Sequence, residues 1–275
     1  MLLTAATPMA AQTRRALVIG LGQQLDPAWN KINGDRDVPL VVEMLKQSHF
    51  TDISTLVNAQ ATKAAIVKSI TDLTARAQKG DIIYIHFSGH GQRVTDLNGD
   101  DQDGWDEAWI PYDAYRSYCE QDKGERHLID DELNQMLHQL RSRIGRSGQI
   151  AVVVDACHSG SITRGDEADS EIVIRGVFDD FIIPGQHSVS AAPLQEKWLT
   201  LSACKDYQLN QEYNGVGKLT HIITTRWRSF ANRKDNDLLN EINQLMQSRQ
   251  YRSRYTQSPD LSGECSNVLS RIFAL

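Results

Sequence analysis

The sequence predicts an α/β fold: a mostly parallel sheet of about six strands, flanked by helices in three layers. Two apolar runs each end in a polar elbow. Ile82, Ile83, Tyr84 and Ile85 lead into Ser88-Gly89-His90-Gly91, and Ile150 to Val154 lead into Asp155-Ala156-Cys157. Continuous apolar runs of this length read as strands buried on both faces. Helical periodicities alternate with the strands before His90, and such a β-α-β-α-β order implies parallel pairing through crossovers. A chain of 275 residues, 40% hydrophobic and 23% charged, is long enough for one such domain.

Residues 1–12, MLLTAATPMAAQ, are small and apolar. They resemble the end of a secretory signal, although no basic stretch precedes them, so the expectation is an exported (periplasmic or secreted) protein, or a cytoplasmic one if the leader is no signal. The domain then occupies 13–275. Ala16 to Gly20 reads as the first strand, and Gly20-Leu21-Gly22 lacks the full dinucleotide-binding pattern. Val38, Val41, Val42 and Leu45 give a helix over Asp37 to Ser48, and Ile53 to Val57 a second strand. Thr62 caps a helix with Ile66, Ile70, Leu73 and Ala77 on its buried stripe, closed by Gly80.

Residues Asp96 to Tyr118 read as an acidic, aromatic loop, and Asp130 as the cap of a helix carrying Leu133, Met136, Leu137 and Leu140. The stretch 162–195 reads as a long excursion or processing linker. It separates a large part, 13–161, from a small part, 196–275. In the small part Trp198 to Cys204 is a strand, Lys218 to Ala231 and Leu238 to Ser248 are helices, and Val268 to Phe273 is a last short strand.

With 29 basic against 35 acidic residues the net charge is −6, which disfavours a nucleic-acid partner. No stretch beyond the leader is apolar and long enough to span a membrane. The cysteines at 119, 157, 204 and 265 show no metal-ligand or disulfide spacing. Cys157 alone has a chemical context. Open α/β sheets do their chemistry at the C-terminal strand edge, and a cysteine and a histidine delivered there are a thiol nucleophile and its acid/base partner. His86 and His158 are rival histidines, and His90 is preferred because its glycine-flanked elbow frees its ring. Asp155 lies two residues before Cys157, on the same side of the strand end. A buried carboxylate there calls for a cationic partner, such as an arginine or lysine of a substrate.

HFSGHGQ, DLNGDDQDGWDEAWIPYD, LIDDEL and VVVDACHSGS, in that order, resemble the metacaspase branch of the caspase-like cysteine peptidases. The resemblance implies a caspase-like three-layer sandwich and an endopeptidase that cleaves protein or peptide chains after arginine or lysine. Cys157 and His90 would form its dyad, and the backbone N–H groups of Gly91 and Cys157 its oxyanion hole. Asp155, Asp37 and Ser88 would line the pocket for the basic side chain, with Asp35 a rival for Asp37. No organic cofactor is expected.

The resemblance also implies a calcium site at Asp106, Asp130 and Asp131, although Arg164 stands where calcium-dependent relatives carry a further carboxylate. Asp96, Asn98, Asp100 and Glu107 fall at EF-hand positions, but Asp101 replaces the required glycine. Arg164-Gly165 and Arg175-Gly176 offer sites for self-cleavage within 162–195. Two other readings remain open: a catalytically silent module that binds basic segments, and a peptidase of different specificity.

Overall fold

A computed structural model describes residues 12–101, 103–157, 173–177, 179–185, 195–205, 208–264 and 266–274. Residues 1–11 of the leader, His158, Arg164 and most of the 162–195 stretch lie outside the described residues. The strands and helices follow in the order β1 (Arg14–Gly20), α1 (Gly34–Gln47), β2 (Asp52–Val57), α2 (Lys63–Arg76), β3 (Ile82–Ser88), β4 (Gly91–Thr95), β5 (Trp105–Trp109), β6 (Leu128–Ile129), α3 (Asp130–Ile144) and β7 (Gln149–Asp155). The small part adds β8 (Leu199–Ser202), β9 (Glu212–Tyr213), β10 (Val216–Gly217), α4 (Lys218–Arg226), α5 (Asp235–Met246), β11 (Asp260–Gly263) and α6 (Val268–Ile272).

The main sheet has six strands in the order β11-β8-β7-β3-β1-β2. All neighbours pair in parallel except β11, which runs antiparallel to β8. Alternate side chains of each central strand enter opposite cores. Val18, Tyr84, Val153 and Leu201 pack with residues of α1, α4, α5 and α6, whereas Leu17, Ile85, Val152 and Val154 pack with residues of α2 and α3. Burial on both faces is why β3 and β7 carry no polar alternation. In register, Ser88 lies opposite Asp155, so the elbows that follow, with His90 and Cys157, leave the same sheet edge side by side.

Four local expectations need correction. Residues 96–118 are not only loop, because Trp105–Trp109 forms β5 in a three-stranded sheet, β4-β5-β6. Asp106 is one of its buried residues, and a carboxylate on the inner face hides the usual alternation. Asp130 is the first helical residue of α3 rather than its cap; Ile129 holds that place, with no side-chain cap bond.

Val268–Ile272 is a helix, not a strand. Val268, Leu269 and Ile272, buried with Phe273, repeat at the 3.6-residue period and not at the period of two. Finally, the described part of 162–195 is no simple excursion. Ile174 makes an antiparallel bridge to Gln211 and Phe181 a parallel bridge to Val94, so this segment runs as a strap across the sheet edge.

Candidate active site

The His90 ring is fixed by its neighbours. It is fully buried and stacked on Trp29, with centroids 5.0 Å apart and planes at 29°. Trp29 is held in turn by its indole N–H, which donates to the Ala114 carbonyl at 3.1 Å. His90 Nε2 lies 2.8 Å from the Asn30 carbonyl, and Nδ1 accepts the Gly176 backbone N–H at 3.0 Å. Nδ1 is therefore the unprotonated nitrogen, and Nε2 carries the hydrogen that goes to Asn30. Burial pushes the imidazole down to about 4 against the pull of the Asn30 carbonyl, with Arg175 and Arg116 adding to the shift.

Cys157 follows β7, is buried, and directs its thiol to the Gln208 carbonyl at 2.8 Å. Gly176 lies against both His90 and Cys157. Its nitrogen is on His90, and a Cβ built at Gly176 would lie 2.6 Å from the Cys157 carbonyl oxygen and 3.0 Å from Cys157 Cβ. With φ at +146° as well, only glycine fits there.

Next to this point Arg175 fills a closed acidic pocket. Its Nη1 is 2.5 Å from Asp37 Oδ2 and 3.5 Å from Asp155 Oδ1, and its Nε is 3.1 Å from Glu212 Oε1. Burial alone would lower the guanidinium pKa, but Asp37, Asp155 and Glu212 together raise it above the ordinary arginine value. Asp37 is in the first turn of α1 but does not cap it. Its Oδ1 accepts the Gly217 N–H at 3.0 Å, and its Oδ2 accepts the Ser88 hydroxyl at 2.8 Å.

Asp35 turns away from the pocket, where its carboxylate accepts from the Asn58 side chain. Asp155 is held mainly by neutral donors: Asn210 Nδ2 at 2.7 Å, Thr220 N at 2.8 Å and Thr220 Oγ1 at 2.6 Å. A side chain at Gly217 would collide with Asp155 and Arg175, so that glycine keeps the pocket open. Glu212 is the residue that sequence reasoning missed. LNQEYNGVG has no pattern that singles out one contact.

His86 lies beneath the pocket, away from Cys157 and Gly176 in its hydrogen bonds. Nε2 is 2.9 Å from Ser88 Oγ and 3.2 Å from Thr220 Oγ1, and Nδ1 is 3.2 Å from the Tyr84 hydroxyl. Burial depresses it to about 4 despite the nearby Asp37 and Asp155, which leaves a neutral ring tying together the residues that hold both carboxylates. Gly91 opens β4 directly after His90.

The strap is also engaged through its backbone. Arg175 N donates to the Asn210 carbonyl at 2.9 Å, and Glu212 N donates to the Val173 carbonyl at 3.0 Å. Beyond Gly176, Phe181 N donates to the Arg93 carbonyl, Thr95 N to the Phe181 carbonyl, and Arg93 pairs twice with Asp180 at 2.9 and 3.0 Å. Strand addition of this kind is a common way of holding an extended peptide.

A separate acidic cluster stands between the loop after β4, β5 and the start of α3. Ligand-capable oxygens of Asp96, Asp100 and Asp106, and of Asp101, Asp106 and Asp130, lie within 4.8 Å of one another. Asp131 is adjacent, with one oxygen taken by the Asn98 amide. Asp106 is 3% exposed, and its Oδ1, like one oxygen each of Asp100 and Asp130, is buried without a hydrogen-bond partner. Burial, then Asp130 and Asp96, pushes Asp106 up to about 8; burial, then Asp101 and Asp131, pushes Asp130 up to about 7. Crowded carboxylates with orphaned buried oxygens fit a hard divalent cation.

The family model described as "Metacaspase, peptidase C14 domain" matches residues 14–164, more than half of the chain. The chain belongs to the metacaspases. It therefore carries a cysteine-type peptidase domain. Metacaspase-1B of Aspergillus fumigatus is 35% identical over 159 residues, which make up 54% of this chain and 36% of that protein. Metacaspase-1B of Aspergillus terreus is 39% identical over 101 residues, 36% of this chain and 24% of that protein. The metacaspase match thus spans about a third or less of the length of these curated relatives.

Among solved structures, protein GSU0716 of Geobacter sulfurreducens superposes with a TM-score of 0.66 at 24% identity, covering 91% of this chain and 92% of that one. Caspase-1 of Spodoptera frugiperda gives 0.60 at 11% identity, covering 92% and 86%. At these identities the two structures speak for the fold, a caspase-like α/β sandwich.

Proposed function

We propose that this metacaspase is an endopeptidase that cleaves after a basic residue through Cys157 and His90, and that one of its substrates is its own Arg175–Gly176 bond. The reading is carried by the seating of that bond, with Arg175 among Asp37, Asp155 and Glu212 and the Gly176 nitrogen 3.0 Å from His90 Nδ1. Val173 and Arg175 pair with Glu212 and Asn210 as a bound peptide would.

In this mechanism the Cys157 thiol gives its proton to Nδ1 of neutral His90, and the thiolate attacks the carbonyl carbon of the basic residue. The backbone N–H groups of Gly91 and Cys157 receive the developing oxyanion. His90 then returns the proton from Nδ1 to the leaving amine, the position the Gly176 nitrogen occupies, and the C–N bond breaks to leave a thioester. Water, deprotonated by His90 Nδ1, attacks the thioester; the C–S bond breaks, the new carboxyl terminus is freed, and His90 returns the proton to Cys157 Sγ. The Asn30 carbonyl holds the Nε2 hydrogen throughout and steadies the imidazolium. Incubation of purified protein tests the reading: a new N terminus should form at Gly176 only when Cys157 is present.

The acidic cluster is proposed to hold calcium through Asp96, Asp100, Asp101, Asp106 and Asp130, with Asp131 alongside. The ion would supply charge neutralisation and tie the loop after β4 to the start of α3. Millimolar calcium should raise the Tm of the Cys157→Ala protein by several degrees over chelator, and Asp106→Asn should abolish that rise. Because Asp106→Asn also relieves like-charge repulsion, its Tm in chelator should equal or exceed that of the parent. An identical Tm with calcium and with chelator in the parent protein would contradict the site.

A further inference from the structure

We infer that Glu212 makes the pocket selective for arginine over lysine. The inference rests on the proposed cleavage after basic residues and assigns part of that specificity to a residue outside the Asp37, Ser88 and Asp155 set.

The guanidinium of Arg175 is held at two different nitrogens. Asp37 takes Nη1 at the tip at 2.5 Å, and Glu212 takes Nε, nearer the main chain, at 3.1 Å. Asp155 adds a more distant contact to the same Nη1. A lysine ends in a single ammonium and has a methylene where arginine carries Nε–H. It can pair with Asp37 and Asp155, which act as point charges toward any cation, but it offers Glu212 no donor at the Nε position. The rigid fork of arginine meets both demands at once.

Glu212 cannot readily follow a shorter partner. Its side chain is 2% exposed. Oε1 also accepts the Asn33 backbone N–H at 2.7 Å, and Oε2 accepts Asn33 Nδ2 at 2.5 Å. The loop before α1 and the strand β9 thus lock the carboxylate from two sides. With lysine bound, a buried carboxylate oxygen would face a methylene, and a charge-assisted hydrogen bond would be lost. Asp37 and Asp155 make the pocket basic-specific, and Glu212 reads which base is present.

The test is kcat/KM for two peptides that differ only in arginine or lysine before the scissile bond. Wild-type protein should prefer arginine by roughly 10-fold or more, the effect of one charge-assisted hydrogen bond to a buried partner. Glu212→Ala should lower the arginine value by about that factor, change the lysine value by less than about threefold, and bring the ratio close to one. Glu212→Gln keeps the shape and an acceptor for Asn33, so it guards against loss of folding and should give an intermediate ratio.

Self-cleavage gives an independent readout. Arg175→Lys should slow it in the wild-type background but not in Glu212→Ala. Equal loss on both peptides, or an unchanged ratio in both variants, would mean a merely structural role and overturn the inference. Wild-type protein that cleaves neither peptide would instead overturn the underlying reading of the site.

Discussion

Replacement of Asp37 by asparagine is expected to lower kcat/KM for arginine peptides by roughly 10²- to 10³-fold, the cost of removing one partner from a buried ion pair. Asp37 makes the shortest contact to the bound guanidinium, at 2.5 Å, and both groups are fully buried. Its carboxylate also receives Ser88 and Gly217, so the asparagine keeps the shape while an amide hydrogen would have to face one of these donors. Asp35→Asn is the control. Asp35 is bonded to Asn58 outside the pocket, and its replacement should change kcat/KM by less than about threefold, as expected of a site away from buried charge. A large loss in Asp35→Asn with none in Asp37→Asn would reverse the assignment.

Loss of His90 should be as severe. His90→Ala is expected to slow self-cleavage by roughly 10²- to 10⁴-fold, the usual contribution of a positioned acid/base group. The pH dependence separates this role from a structural one. In the single chain, burial under the strap holds His90 at about 4, below its ordinary 6.5. A lowered pKa keeps the proton-accepting form populated as pH falls, so self-cleavage should weaken only as pH drops through about 4. Once the strap has left, water reaches the ring and the desolvation shift relaxes. The acid limb for peptides cleaved in trans should then lie nearer 6.5. Coincident limbs near 6.5 in the two assays would contradict the buried, neutral His90.

The main sheet and its two elbows were legible in the sequence because buried parallel strands leave long apolar runs, and the elbows that follow β3 and β7 break them sharply. The glycine-flanked elbow also set His90 apart from His86, whose ring is taken up by Tyr84, Ser88 and Thr220. Where the inner face carries a carboxylate, as at Asp106 in β5, the alternation vanished and a strand read as loop. At the other end of the chain, Val268 to Phe273 is too short for its period to stand out, and a helix read as a strand.

The site was legible in part. Asp155 and Cys157 share one elbow, so their proximity is local and follows from strand geometry. The contact of Arg175 with Asp37 joins residues 138 positions apart, and nothing in a linker marks which of its arginines folds back. Glu212 was hidden for the same reason: β9 is two residues long, and its role depends on Asn33 and Arg175 from distant parts of the chain. The run of carboxylates from Asp96 to Asp106 was plain in sequence and the resemblance joined Asp106 to Asp130, whereas the approach of Asp96, Asp100 and Asp101 to that pair required the fold.

The most direct test of the account is the N-terminal sequence and intact mass of wild-type and Cys157→Ala protein after incubation with and without calcium. Wild-type protein should yield a fragment beginning at Gly176 and a partner ending at Arg175, while Cys157→Ala should remain uncut at that bond. A fragment beginning at Gly176 in the Cys157→Ala protein, or wild-type protein that stays intact there under both conditions, would contradict it.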